Sequence, residues 1–329
     1  MLDFAGKRWW YLTVSGVLFA IAAIALGLWH LQAGIEFTSG SSFTFEFTER
    51  PVKQDDLRSA MKDLGHSEAR IQGSGANTFL IRTSELRGAP AVGSASAEGP
   101  QQPIRGEIDA IQDGLKERFG ALNRKDFSTV SSTVSTEIAR NATLAVIAAA
   151  VAILIYISLA FRRLPRAWRY GACAIIAVLH DAFIILGLFA ILGEFRGTEV
   201  DTAFITALLT VIGFSVHDTI VVFDRIRENV THDPYVPFEE AVNASMTETL
   251  ARSLNTSFVV VLTVLAMLLI GGVTIRNFLI VLLVGIISGT YSSIGIASQL
   301  LVAWENNDLG KFVRRLRGKP PIEPAPEAA

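Results

Sequence analysis

Six stretches of about 20 mostly apolar residues run through this sequence, at about 11–31, 141–161, 171–193, 202–223, 254–274 and 278–303. Each is long enough to cross a hydrocarbon core of about 30 Å as a helix. In hydrocarbon every backbone N–H and C=O must find its partner inside the protein, so a lone spanning segment has to be helical. Half of the 329 residues (50%) are hydrophobic, too many for a soluble chain with one core. The expected fold is an α-helical polytopic membrane protein with six transmembrane helices. The first apolar run, Trp9 to Leu31, exceeds the roughly 7–15 residues of a signal peptide's apolar region and reads as an uncleaved span.

Cationic residues set the expected orientation. Lys7 and Arg8 precede the first span. Arg162, Arg163, Arg166 and Arg169 fill the loop between spans two and three, and Lys311, Arg314, Arg315, Arg317 and Lys319 crowd the tail. Glu194, Glu199 and Asp201, opposed by Arg196, mark the loop between spans three and four, and the very short loop between spans five and six carries Arg276. Both termini are therefore expected in the cytoplasm, and the long first loop outside.

That loop reads as a domain. Ser42–Phe47 alternates as a strand, and Val52–Leu64 is helical, with Leu57, Met61 and Leu64 on one face. Arg70–Gln72 and Thr78–Thr83 are expected as strands. Ile104–Phe119 is expected as a helix with Ile104, Ile108, Ile111, Leu115 and Phe119 inward, and Phe127–Val134 as a last strand. The order β-α-β-β-α-β predicts an α+β ferredoxin-like extracytoplasmic domain between spans one and two. The expected division is 1–33 for the N-terminus and first span, 34–138 for this domain and 139–303 for a five-helix bundle. Residues 304–329 form a basic cytoplasmic tail, and 86–103, rich in Ala, Gly, Ser and Pro, is a flexible insertion.

The chemistry lies in polar residues at membrane depth. Asp218 interrupts the fourth apolar run, and an ionisable group there is a functional candidate by default. Ser215 and Thr210 share its face. Arg252, just inside the fifth span, lies at a depth compatible with contact, and Asn255, Thr256 and Thr263 share the Arg252 face. Whether Asp218 and Arg252 touch stays open. The bland alternatives are a structural carboxylate and an arginine reaching the headgroups. Asp181, beside His180 in span three, is either a second relay group or a packing contact. Asp201, Asp224, Arg225 and Arg227 read as solvated ends of spans. Gly285, Gly289, Ser293 and Ala297 recur every four residues along span six, a small-residue stripe for close helix packing. Phe238–Met246 reads as a short amphipathic surface helix. The sole cysteine, Cys173, excludes an intrachain disulfide, and no P-loop, nucleophile elbow or Cys/His metal spacing occurs. No enzyme activity, cofactor or metal is expected. The net charge of −2 gives no reason to propose nucleic-acid binding.

Three stretches carry a family resemblance. Gly213–Asn229, Arg252-Ser-Leu-Asn-Thr-Ser257 and Gly285-Ile-Ile-Ser-Gly-Thr-Tyr-Ser-Ser293 resemble the fourth, fifth and sixth spans of SecF-type members of the SecD/SecF family. The likeness covers the chain apart from 86–103 and the end of the tail. It implies a resistance-nodulation-division type of fold and a multi-pass place in the cytoplasmic membrane. It implies SecD as partner, with the Sec channel, translocating preproteins and membrane lipid around it. It also implies that the proton gradient helps draw preproteins outward, with Asp218, Arg252 and Thr256 as the proton-pathway residues. Accessory polar candidates are Asp181, Ser215, Asn255 and His217. His217 stands where the family often has asparagine, about 100° round the helix from Asp218. Gly34-Ile-Glu-Phe-Thr-Ser-Gly40 departs from the family's Gly-Ile-Asp-Phe-Thr-Gly-Gly, so Ser39 replaces a glycine in a turn.

The leading expectation is a proton-motive-force-coupled accessory subunit of protein export. Its rivals are a small-molecule exporter half of the same fold and a scaffold of the translocon that moves no protons.

Overall fold

The computed structural model describes residues 3–75, 77–86, 106–160, 167–272 and 275–308. The described chain divides into two compact units, one of residues 1–28, 148–188 and 206–329 and the other of residues 29–147 and 189–205. Arg162, Arg163, Arg166, the cationic tail beyond 308 and nearly all of the expected insertion lie outside the described residues.

The second unit begins with a short helix α2 (Ile35–Thr38) that follows the first span, α1 (Arg8–Trp29). Then come β1 (Gly40–Phe47), α3 (Gln54–Asp63), β2 (Arg70–Gly75), β3 (Thr78–Thr83), α4 (Glu107–Phe119) and β4 (Leu122–Val130). All three pairings are antiparallel and the sheet order is β2-β3-β1-β4, the arrangement of a ferredoxin-like sandwich. Alternation along β1 buries Phe43, Phe45 and Phe47 together with Leu57 and Met61 from α3 and Ile111 and Leu115 from α4. Each such side chain contributes roughly 1.5–3 kcal/mol of burial. Both helices place acids in the first turn (Asp55 and Asp56; Glu107 and Asp109) and bases in the last (Lys62; Lys116 and Arg118), matching the helix dipole.

The last strand lies five residues before its expected start. Leu122 pairs with Phe47 and Val130 with Gly40. The polar run Asn123–Asp126 hides it in the sequence. This run is tolerated because β4 is an edge strand, where side chains such as Lys125, 2.9 Å from Glu46, stay exposed. Residues 132–134, expected in that strand, instead start the second apolar helix.

Among the described residues, six helices are long and apolar enough to cross a membrane: α1, α5 (Ser132–Ala160), α6 (Ala167–Arg196), α7 (Thr202–His232), α8 (Phe238–Ile270) and the run Arg276–Glu305. The last is α9 (Arg276–Ser292), a π-helical segment Ser293–Ala297 and α10 (Ser298–Glu305). Asp201, expected to be a solvated span end, is the N-cap of α7, with its Oδ1 accepting the Phe204 N–H at 2.6 Å. The expected separate helix Phe238–Met246 is the first part of α8, a continuous 33-residue helix. Ala241, Val242, Ser245 and Met246 are buried, so one apolar face carries on into the span.

Helices of the first unit pack through small residues. A methyl group on Gly285 would lie 2.3 Å from Val211 Cγ2, and one on Gly289 would lie 3.1 Å from Ser215 Cβ. Ala297 is fully buried. The stripe on α9 is thus filled by α7 of the same chain.

Candidate functional site

The small-residue stripe brings α9 close enough to α7 for short polar side chains to meet. Asp218 is 7% exposed. Its Oδ1 accepts a hydrogen bond from Ser253 Oγ of α8 at 2.6 Å, and its Oδ2 one from Ser293 Oγ at 2.6 Å. Three spans therefore meet at one carboxylate. Ser293 also lies 3.0 Å from the Thr290 carbonyl, an alternative acceptor for its single proton. Thr219 Oγ1, next in sequence to Asp218, is buried without a hydrogen-bond partner among the described residues.

Ser293 is the first residue of the π-helical segment. π-Bulges widen the helix by one residue and often mark functional sites. Here Ser298 Oγ donates to the Ser293 carbonyl at 2.8 Å and Gln299 Nε2 to the Ile294 carbonyl at 3.1 Å. These side chains occupy carbonyls in the widened turn.

Asp181 of α6 is fully buried. Ser215 and Ser292 each donate to its Oδ2 at 2.6 Å, and Ser288 donates to its Oδ1 at 2.7 Å. His180 Nδ1 lies 3.3 Å from Oδ1. Ser215 therefore serves Asp181 and not Asp218, whose face it was expected to share.

Arg252 does not meet Asp218. It is exposed on α8, and no carboxylate pairs with it among the described residues. Thr256 is exposed too and its hydroxyl donates to the Arg252 carbonyl at 2.9 Å. Asn255 and Thr263 are exposed with them, so the expected polar face exists but is uncovered in this chain. The face turned to Asp218 is one residue round: Ser253, Ser257 and Val264 are buried, and Ser257 Oγ lies 2.5 Å from Thr290 Oγ1. Thr210 and His217 are exposed.

Sequence reasoning missed Ser253, Ser257, Ser288 and Ser292. The signal was present as small hydroxyls four apart, Ser253/Ser257 on α8 and Ser288/Ser292 on α9. Serine at such spacing is also an ordinary packing residue, so only the acceptor decides its meaning.

The second unit carries its own titratable group. Arg82 Nη1 lies 2.6 Å from Oε1 of Glu199, a residue only 4% exposed. Burial raises the carboxyls of Glu199, Glu36 and Asp201 above their ordinary range. Arg82 pulls all three the other way. The backbone joins the group: Val200 N–H donates to the Gln32 carbonyl at 2.7 Å and Gly34 N–H to the Val200 carbonyl at 2.8 Å. Glu68 behaves oppositely. Its own backbone N–H and the hydroxyls of Thr83 and Ser84 hold it near about 2.

Residues 110–307 match the family described as "Protein export membrane protein SecD/SecF, C-terminal". The chain is 44% identical over 315 residues to the protein translocase subunit SecF of Thermobaculum terrenum, covering 96% of this chain and 98% of that one. It is 34% identical over 312 residues to the translocase subunit SecDF of Bacillus subtilis, covering 94% of this chain and 39% of that one. The crystal structure of SecDF from Thermus thermophilus, described as a translocon-associated membrane protein, superposes with a TM-score of 0.78 at 32% identity, over 93% of this chain and 39% of that one.

Proposed function

The chain belongs to the SecD/SecF family of protein export membrane proteins, with a role in protein translocation, and we propose that it is a proton-motive-force-coupled accessory subunit that works with a SecD partner. The observation that carries this reading is the carboxylate of Asp218, buried among three spans and held, among the described residues, by the hydroxyls of Ser253 and Ser293.

An ionised carboxylate accepts from both serines. Once protonated it must itself donate, so at least one serine has to turn. Ser293 has the Thr290 carbonyl to turn to. Protonation thus reverses the hydrogen bond between α9 and α7 at one point, and deprotonation restores it. Each charge crossing the membrane field supplies about 2.3 kcal/mol per 100 mV to drive the cycle.

Arg252 and Thr256 keep their place in the proposal as residues of a second state or of the partner interface. Turning α8 by about 100°, one residue, would exchange Ser253 for Arg252 beside Asp218. A face of Arg252, Asn255, Thr256 and Thr263 left in hydrocarbon is costly, and a SecD helix would cover it. The fused SecDF relatives, which join both halves in one chain, support that partner. The cytoplasmic location of both termini, the extracytoplasmic place of the ferredoxin-like domain and contact with the Sec channel and preproteins belong to the same proposal.

One rival is favoured by the same geometry: a carboxylate satisfied by two serines is also what a structural scaffold would hold. Export of a secreted reporter in cells depleted of this protein and complemented with Asp218→Asn separates them. The proposal expects normal membrane abundance with failed export. Normal export at normal abundance would establish the scaffold reading instead.

A further inference from the structure

We propose that Asp181 and His180 form a second protonation site on the same route, loaded before Asp218 and coupled to it through α9. The inference rests on the reading of Asp218 as a proton site.

Asp181 is fully buried at the middle of a span and receives three hydroxyl hydrogen bonds from two other helices. A helix-packing contact needs one such bond; three donors are what a carboxylate kept ionised in hydrocarbon requires. The independent observation is His180. It is 7% exposed, its Nδ1 faces Asp181, and its Nε2 is buried with no hydrogen-bond partner among the described residues. Leaving an imidazole nitrogen unpaired in a membrane is expensive, and a merely structural histidine would have its second nitrogen satisfied. An open Nε2 behind an Nδ1–carboxylate contact is the arrangement of a proton acceptor.

The transfer balances simply. Neutral His180 with its proton on Nδ1 takes a proton at Nε2. The Nδ1–H bond then breaks as an O–H bond forms on Asp181 Oδ1, leaving the imidazole neutral as its Nε2–H tautomer. The proton next leaves Asp181 and binds the Asp218 carboxylate. Ser215, which serves Asp181, precedes Asp218 by three residues, or about 4.5 Å along α7 toward Thr202. In the proposed orientation that end faces outside, so an inward proton meets Asp181 first. Consecutive residues of α9 hold the two carboxylates, Ser292 on Asp181 and Ser293 on Asp218. Protonating either one therefore rearranges hydrogen bonds on the same turn of the sixth span. Among the described residues, the titratable group in contact with Asp181 is His180 on its own helix, and Asp218 is linked to it through the neighbouring residues Ser292 and Ser293 of the sixth span. The α9 contacts are serines alone, and Tyr291 beside them turns its hydroxyl to the Tyr11 carbonyl of α1.

The test uses the full chain reconstituted with its SecD partner in liposomes, with proton entry followed by a lumenal pH dye across a range of external pH. Asp181→Asn is expected to lower the flux at least about tenfold, and Asp181→Glu to restore it with a displaced pH profile. His180→Gln is expected to displace the profile. Wild-type flux and profile in both Asp181→Asn and His180→Gln, alongside loss of flux in Asp218→Asn, would overturn this proposal alone. Unchanged flux in Asp218→Asn would overturn the parent reading. Should Asp181→Asn fail to accumulate, Ser288→Ala decides: it removes one donor to Oδ1, and a displaced profile supports the site while an undisplaced one overturns it.

Discussion

Ser39 has φ +62° and ψ 164°, a region that only glycine occupies without strain. Ser39 stands where the family resemblance expects a glycine, and its backbone adopts a conformation suited to glycine. Ser39→Gly is expected to stabilise the protein by about 1 kcal/mol, less than the strain itself because glycine loses more entropy on folding. Thermal unfolding in detergent would measure it. At the site, Ser293→Ala leaves Asp218 with the Ser253 hydroxyl and is expected to cost about 1 kcal/mol in the bilayer. It is also expected to impair export more than that loss of stability explains, which parallel assays of abundance and secretion would show.

At the scale of elements, close approach and chemistry depend on each other. Gly285 and Gly289 let α9 approach α7 until serine, with a side chain of only two heavy atoms, reaches the aspartates. Gly285→Leu is expected to force the two helices apart, costing about 1–3 kcal/mol and abolishing export. Gly272→Leu, at an open position past the end of α8, is expected to leave both unchanged. In the second unit, Arg82→Gln leaves Glu199 buried without its paired cation, an expected cost of about 3–5 kcal/mol if the carboxylate stays charged and less as it takes up a proton. The loss should therefore shrink on acidification, which unfolding measured at two pH values would reveal.

For the whole molecule, pH acts with two signs. Raised carboxyls at Glu36, Glu199 and Asp201 bind protons more tightly in the folded state. Their contribution is greatest below the ordinary carboxylate range and declines as pH rises through their folded values. Glu68 is lowered, so its contribution is present above 4.5 and is lost as pH falls toward about 2. A variant with Glu36, Glu199 and Asp201 as Gln, Gln and Asn is expected to flatten the first dependence and leave the second, as followed by unfolding midpoint against pH. The uncovered polar face of α8 implies a chain whose stability depends on company. Co-expression with the SecD partner is expected to raise the unfolding temperature, and Thr256→Val with Arg252→Ala to reduce co-purification.

Sequence alone determined the class of the molecule. Long apolar runs have one solution in hydrocarbon, and the alternation of Phe43, Phe45 and Phe47 against the helical spacing of Leu57 and Met61 defined the sandwich. A carboxylate at 218 in an apolar run declared itself by its cost. Tertiary structure decided who meets it. Arg252 and Ser253 are neighbours in the chain and about 100° apart on a helix, so the rotation of α8 about its axis chooses between a cation and a hydroxyl. That rotation is set by the packing of Ser253, Ser257 and Val264, a sum of small contacts that no single residue type announces. Asp181 gained its meaning in the same way. Three serines from α7 and α9 converge on it only because α9 lies close against α7, and convergence in space is not a property of spacing along one helix.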